Sequence, residues 1–173
     1  MDPENRKYQV EALIEIPKGT QNKYEFDSGR EVFRLDRVLY SPLHYPTDYG
    51  FIPETLAADG DALDILVLIT NPTFPGCLVP AYVIGDLAMR DDQGFDTKIL
   101  SVARGDPRLA NIKSYSNLEP HLIKELEYFF RRYKELEEKT SRIGSWHDAD
   151  HAMEVIAGSR LAWKKNTGRN DLC

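Results

Sequence analysis

Asp59-Gly60-Asp61-Ala62-Leu63-Asp64 sets three carboxylates within six positions between two apolar stretches, with Glu54 just upstream. Like charges at that density destabilise one another, and a divalent cation is the usual means of neutralising them. In an extended chain Asp59 and Asp61 share a face, because side chains alternate along a strand. Gly60 lets the backbone turn or approach a ligand closely. A solvated Asp-Gly turn joining two strands accounts for the same residues with no chemistry at all. Residues elsewhere in the chain have to decide between these accounts.

A second acidic group, Asp91-Asp92-Gln93-Gly94-Phe95-Asp96-Thr97-Lys98, lies between two more strand-like stretches, so a barrel could bring two carboxylate loops together. Hard cations such as Mg²⁺ prefer such oxygen ligands, although a hairpin tip whose acids face water fits the segment equally. Neither group matches a calcium-binding loop, since no glutamate stands at the twelfth position after Asp59. Cations recur beside acids in Asn22-Lys23-Tyr24-Glu25, in Asp36-Arg37-Val38 and at Lys98. Singly they are solvated edge residues; together they could clamp an anion of several charges. Tyr133-Lys134 is ambiguous in the same way, because Tyr133 falls on an apolar stripe but carries a hydroxyl that could reach a cavity. His147 and His151 are four apart and could share a helix face, but no glutamate follows His147 as in a H-E-x-x-H site, and they read as a surface pair.

Short strands must position these residues. Gln9 to Ile16 alternates in polarity, and Pro17-Lys18-Gly19 ends it. Lys23 to Phe26 and Glu31 to Leu39 flank Asp27-Ser28-Gly29-Arg30, a hairpin signal. Further strands are expected over Tyr49 to Leu56, Asp64 to Ile69, Leu78 to Met89 and Thr97 to Ala103. After Glu119 the period becomes helical: Leu122, Leu126, Phe129, Tyr133 and Leu136 recur at spacings of four, three, four and three. Gly144 and Ser145 punctuate, Ser145 being a candidate N-cap. A last helix is expected from Trp146 to Lys165, burying Ala152, Val155, Ile156 and Trp163. Strands followed by two helices predict an α+β fold, a small barrel braced by helices.

With 173 residues, 42% of them hydrophobic and 29% charged, the chain reads as a single globular domain over 1–173. A net charge of -6 argues against nucleic-acid or anionic-membrane surfaces, and an anionic small substrate would need metal ions as well. The first residues lack the apolar stretch of a secretory leader, and the longest aliphatic run, Ile65 to Ile69, is too short to span a bilayer. Cys77 and Cys173 form neither a CxxC pair nor a disulfide framework, so the expectation is a cytoplasmic protein.

In order and spacing, Ile14-Glu15-Ile16-Pro17, Asn22-Lys23-Tyr24-Glu25, Asp36-Arg37, Tyr45-Pro46-x-x-Tyr49-Gly50, Asp59 to Asp64, Asp96-x-Lys98 and Phe130-x-x-Tyr133-Lys134 resemble soluble family I inorganic pyrophosphatases over nearly the whole chain. The family's D-G-D-P-x-D signature has Ala62 in place of proline here, which implies a less stiff loop that keeps all three acids. The resemblance implies a five-stranded OB-like barrel with additional strands, two C-terminal helices outside it, several Mg²⁺ ions with Mn²⁺ as a substitute, and hydrolysis of pyrophosphate to two orthophosphates. By position it makes Asp59, Asp64, Asp91 and Asp96 the main metal ligands, with Glu15 and Glu25 assisting metals or bound water. Lys23, Arg37, Tyr49, Lys98, Tyr133 and Lys134 correspond to phosphate contacts. Asp61 corresponds to the acid that takes a proton from the attacking water, with Asp96 as the rival, and short members of the family are hexamers, so a homo-oligomer is implied. Two other functions stay open at this level: a non-enzymatic OB-type module binding an oligonucleotide or sugar, and a hydrolase of nucleoside triphosphates or polyphosphate.

Overall fold

The computed structural model describes residues 3–92 and 94–168; Cys173 and the C-terminal tail from 169 lie outside them. Five strands form a closed ring in the order β1 (Gln9–Ile16), β4 (Asp48–Phe51), β5 (Asp64–Leu68), β7 (Gly94–Ala103) and β6 (Leu78–Asp91), with β6 pairing back onto β1. Every pairing in the ring is antiparallel except β5 with β7. β8 (Ser141–His147) extends the sheet beyond β6, and β2 (Asn22–Asp27) with β3 (Val32–Val38) makes a separate hairpin. Its turn is fixed by Asp27, whose Oδ1 accepts from the amides of Gly29 and Arg30. With helices α1 (Pro120–Arg132) and α2 (Ala149–Thr167), this is the α+β, OB-like barrel flanked by two C-terminal helices that the strand pattern and resemblance imply.

Alternation sorts the side chains onto two faces. On one, Leu66 and Leu68 of β5, Leu87 and Met89 of β6, and Leu100 and Val102 of β7 pack with Leu126, Phe129 and Phe130 of α1. On the other, Ile65, Val67, Val83 and Ile99 pack with Ala152 and Ile156 of α2. Full burial of a side chain such as Ile156 is worth about 1.5–3 kcal/mol. Bulges interrupt β1 between Ile14 and Ile16 and β6 between Val83 and Gly85, giving the strands the local bend that closure needs.

The C-terminal third departs from the sequence expectation. The segment 141–147 is an edge strand, so Ser145 caps nothing, and α2 begins at Ala149 with Asp148 as N-cap, its carboxylate accepting from the His151 amide at 3.0 Å. Gly144 is there for close approach: a Cβ would lie 2.8 Å from the Ala88 carbonyl oxygen of β6. Helix α1 stops earlier than its apolar stripe suggests, at Arg132, with Tyr133 as C-cap. Leu136 therefore sits in a following 3₁₀ turn and is exposed. Tyr49–Leu56 was expected as one strand; pairing ends at Phe51 and the remainder belongs to the acidic loop. In α2, Ala152 and Ile156 are fully buried, whereas Val155 and Trp163 are half-buried.

Candidate active site

On the α1 face, the apolar rows of the sheet end in polar residues. Leu66 is preceded on its face by Asp64, and Leu100 by Lys98 and Asp96. The parallel register, Ile65 beside Ile99, places Asp64 next to Lys98. Lys98 is only 3% exposed; its ammonium pairs with Asp64, lies 2.8 Å from Asp96 Oδ2 and donates to the Tyr49 hydroxyl at 3.1 Å. Tyr49 in turn stands edge-on to Tyr45, in an aromatic wall that continues through Phe129, Phe130 and Tyr133.

The loop carrying Asp59 and Asp61 is braced from within. Buried Thr55 donates its hydroxyl to the Ile52 carbonyl and accepts from the Leu63 amide at 2.9 Å, tying the two ends of the loop. The Ala57 amide donates to the Asp61 carbonyl at 2.7 Å, and the Asp61 amide to Asp59 Oδ1 at 3.1 Å. The Leu56 amide reaches the Ser159 carbonyl of α2 at 3.0 Å. These bonds order the loop through groups other than residue 62, where alanine stands for the family's proline.

The β2–β3 hairpin and the end of α1 supply the remaining residues. Glu15 on β1 accepts from the Phe26 amide at 2.8 Å, fastening the hairpin to the barrel. Lys23 pairs with Glu25 and lies 3.5 Å from Asp36. Arg37 pairs with Asp36 and donates through Nε to Glu137 at 2.9 Å, linking the hairpin to the turn after α1. On that turn Lys134 lies 2.9 Å from Asp91 at the end of β6. Tyr133 is buried, its ring stacked on Phe129 at 5.1 Å.

Carboxylates outnumber the four cationic side chains here, and the titration behaviour reflects it. Burial pushes the Glu15 carboxyl up to about 7, with Asp64 and Glu25 adding to the rise and the Phe26 amide and Lys23 opposing it. Burial first, then Asp59, Asp64 and Glu25, raises Asp61. Asp96 is also raised: burial outweighs its pairing with Lys98, which must serve Asp64 as well. Burial works against the charge of Lys98, but Asp64, Tyr49 and Asp96 together hold its ammonium well above the ordinary lysine range. Burial lifts the Tyr49 hydroxyl well above its usual range, aided by Asp64.

All thirteen residues singled out for this chemistry thus belong to one linked group: Glu15, Lys23, Glu25, Arg37, Tyr49, Asp59, Asp61, Asp64, Asp91, Asp96, Lys98 and Lys134 connect through the contacts above, and Tyr133 borders Lys134, whose ammonium lies 5.3 Å from its ring centre. In this arrangement Glu25, Asp64, Asp91 and Asp96 are held by lysines and arginine. Among the described residues, the group of three donors whose ligand atoms all lie within 4.8 Å is Asp86, His147 and His151, not any three of these acids. Those histidines do not share a helix face, since His147 ends β8 and His151 lies in the first turn of α2. Glu137 was not foreseen; no spacing signal marks it, because it acts from a 3₁₀ turn on a hairpin residue far away in sequence. Cavities of about 410 and 260 Å³ elsewhere in the molecule share no residue with the cluster.

Comparison with known proteins places most of the chain in one family. The family profile described as inorganic pyrophosphatase matches residues 12–164. An inorganic pyrophosphatase of Geobacillus stearothermophilus is 52% identical over 147 residues, 85% of this chain and 89% of that protein. One from Methanosarcina mazei is 50% identical over 149 residues, 86% and 88% of the two chains. The crystal structure of inorganic pyrophosphatase from Thermus thermophilus superposes with a TM-score of 0.89 at 39% identity, covering 95% of each chain. Agreement of profile, sequence and backbone across nearly the full length, on a fold that gathers the quoted motif residues around one lysine-bridged acidic cluster, means that this chain belongs to the inorganic pyrophosphatase family.

Proposed function

We propose that residues 1–173 act as a single Mg²⁺-dependent domain that cleaves pyrophosphate into two orthophosphates by direct attack of water, with Asp61 taking the proton. The observation that carries this reading is the meeting of Asp64, Asp96 and Tyr49 on buried Lys98, beside a loop that presents Asp59 and Asp61. The family implies a divalent metal, and the donors fit one: they are carboxylate oxygens, suited to hard cations, and the carboxyls of Glu15, Asp61 and Asp96, raised first by burial and then by neighbouring acids, would be relieved by a dication beside them. Asp59, Asp64, Asp91 and Asp96 would hold the ions, with Glu15 and Glu25 in support. Bound there, divalent cations lower the pKa of water and offset charge on the departing phosphate.

The chain's own side chains divide the remaining work. Lys23, Arg37, Lys98 and Lys134 offer charged donors, and Tyr49 and Tyr133 hydroxyls, to the phosphate oxygens. Asp61 lies on a braced but exposed loop, free of any cation partner at hydrogen-bond distance among the described contacts, so its raised carboxyl is the one available to accept a proton. Asp96, engaged by Lys98, is the weaker candidate. A second copy of the chain is part of the proposal, up to a hexamer: Val32, Leu35, Val38 and Tyr40 on and beside the hairpin expose apolar surface. The proposed compartment is the cytoplasm, in keeping with free Cys77; among the described residues no helix is long and apolar enough to cross a membrane.

Phosphate release from pyrophosphate and from ATP, measured side by side with Mg²⁺ and with excess EDTA, tests the proposal. Release from pyrophosphate that vanishes in EDTA and exceeds release from ATP is expected. Persistence under EDTA, or preference for ATP, would refute it.

A further inference from the structure

Asp86 is fully buried in β6, and both of its carboxylate oxygens face histidine nitrogens: Oδ2 lies 3.0 Å from His147 Nδ1, and Oδ1 lies 2.7 Å from His151 Nδ1. The two imidazoles are 4.1 Å apart between ring centres. A buried carboxylate with no cation beside it is costly, so such groups are paired or coordinate metals. Three features of the chain build the arrangement. The bulge at Ile84 shifts the alternation of β6, so Asp86, paired with Ile99, points to the α2 face, away from Lys98. Gly85 admits the end of β8, since a Cβ there would lie 2.6 Å from the His147 carbonyl oxygen. Asp148, capping α2, fixes the first turn from which His151 reaches back.

We propose that Asp86, His147 and His151 bind a borderline first-row dication of the zinc type, at a site separate from the phosphate-cleaving cluster. Two imidazoles and one carboxylate are the donor set such ions take, whereas Mg²⁺ prefers oxygen alone. When Ser145 Oγ accepts from His147 Nε2, at 2.9 Å, Nδ1 of the same ring presents its lone pair toward Asp86. A four-coordinate ion with bonds of about 2.1 Å needs donors about 3.4 Å apart. The carboxylate–imidazole separations, 3.0 and 2.7 Å, are shorter than this and all three donors lie within 4.8 Å of one another, so binding would spread the two half-exposed imidazoles from Asp86 by several tenths of an ångström. An ion there would join three elements, β6, β8 and α2, that otherwise meet at the margin of the sheet.

The test is a Zn²⁺ titration against a chromophoric chelator, with saturating Mg²⁺ and phosphate present to occupy the acidic cluster. Wild-type protein is expected to bind one equivalent. His151→Gln and the double variant His147→Gln/His151→Gln are expected to weaken it at least about tenfold while Mg²⁺-dependent phosphate release is retained, which also shows that they fold. Asp61→Asn is expected to bind Zn²⁺ as the wild type does. Co²⁺ in place of Zn²⁺ should give visible absorption typical of four-coordinate nitrogen and oxygen ligation. Equal Zn²⁺ affinity in wild type and His151→Gln, or binding lost in Asp61→Asn and kept in the histidine variants, would overturn the assignment.

Discussion

Replacing Glu15 with glutamine measures the cost of burying a carboxylate among other acids with no metal ion beside it. The glutamine oxygen can still accept from the Phe26 amide, so the hairpin remains fastened while the charge is removed. In the folded protein the Glu15 carboxyl sits near 7 against 4.5 for an unperturbed glutamate. The sign follows from linkage: the folded state holds the proton more tightly, so the penalty is small below about pH 4.5, grows as pH rises, and is complete above about 7. At 1.36 kcal/mol per unit, the full penalty is roughly 3 kcal/mol. In EDTA above pH 7, Glu15→Gln should therefore be more stable than wild type by up to roughly 3 kcal/mol, or roughly 6–12 °C in Tm. Near pH 4.5 the two should differ by under about 0.5 kcal/mol. Urea and thermal melts across this range measure the gap, and added Mg²⁺ should close it by supplying the missing counter-charge. A gap that stays flat with pH, or a wild type more stable above pH 7, would refute the account of Glu15 as a buried, uncompensated acid.

With Asp61 in its proposed role of proton acceptor, Asp61→Asn should lower turnover at least about a hundredfold, and its exposed position should leave circular dichroism unchanged. Lys98→Met should destabilise the metal-free protein by about 3 kcal/mol at neutral pH in urea melts, and by less in acid, since it leaves the half-buried Asp64 and Asp96 without their shared cation. Thr55→Val keeps the shape but leaves the Leu63 amide unpaired; a loss of about 1–3 kcal/mol is expected, with faster proteolysis between Leu56 and Asp61.

Much of this architecture can be seen in the sequence because burial imposes a period. Val10, Ala12, Ile14 and Ile16 alternate on β1, and Leu122, Leu126 and Phe129 follow helical spacing on α1. The candidate site residues were legible through ordered motifs, not through any one segment, and the structure brings them into one cluster. β8 escaped detection because it is a polar edge strand, with Ile143 and Trp146 as its only large apolar residues and a glycine required by its neighbour's backbone. Leu136 misled because a helical period says nothing of where the backbone stops hydrogen-bonding. The histidine pair looked superficial because their common partner, Asp86, is more than sixty positions away and reaches them only through a bulge that no local pattern announces.

The amide of Leu56 hangs from a carbonyl midway along α2. The final helix is thereby a strut beneath the acidic loop, and its tilt is transmitted along the backbone to Asp59 and Asp61. A bulky fusion that levers the far end of this helix would dull the chemistry before it loosened the barrel.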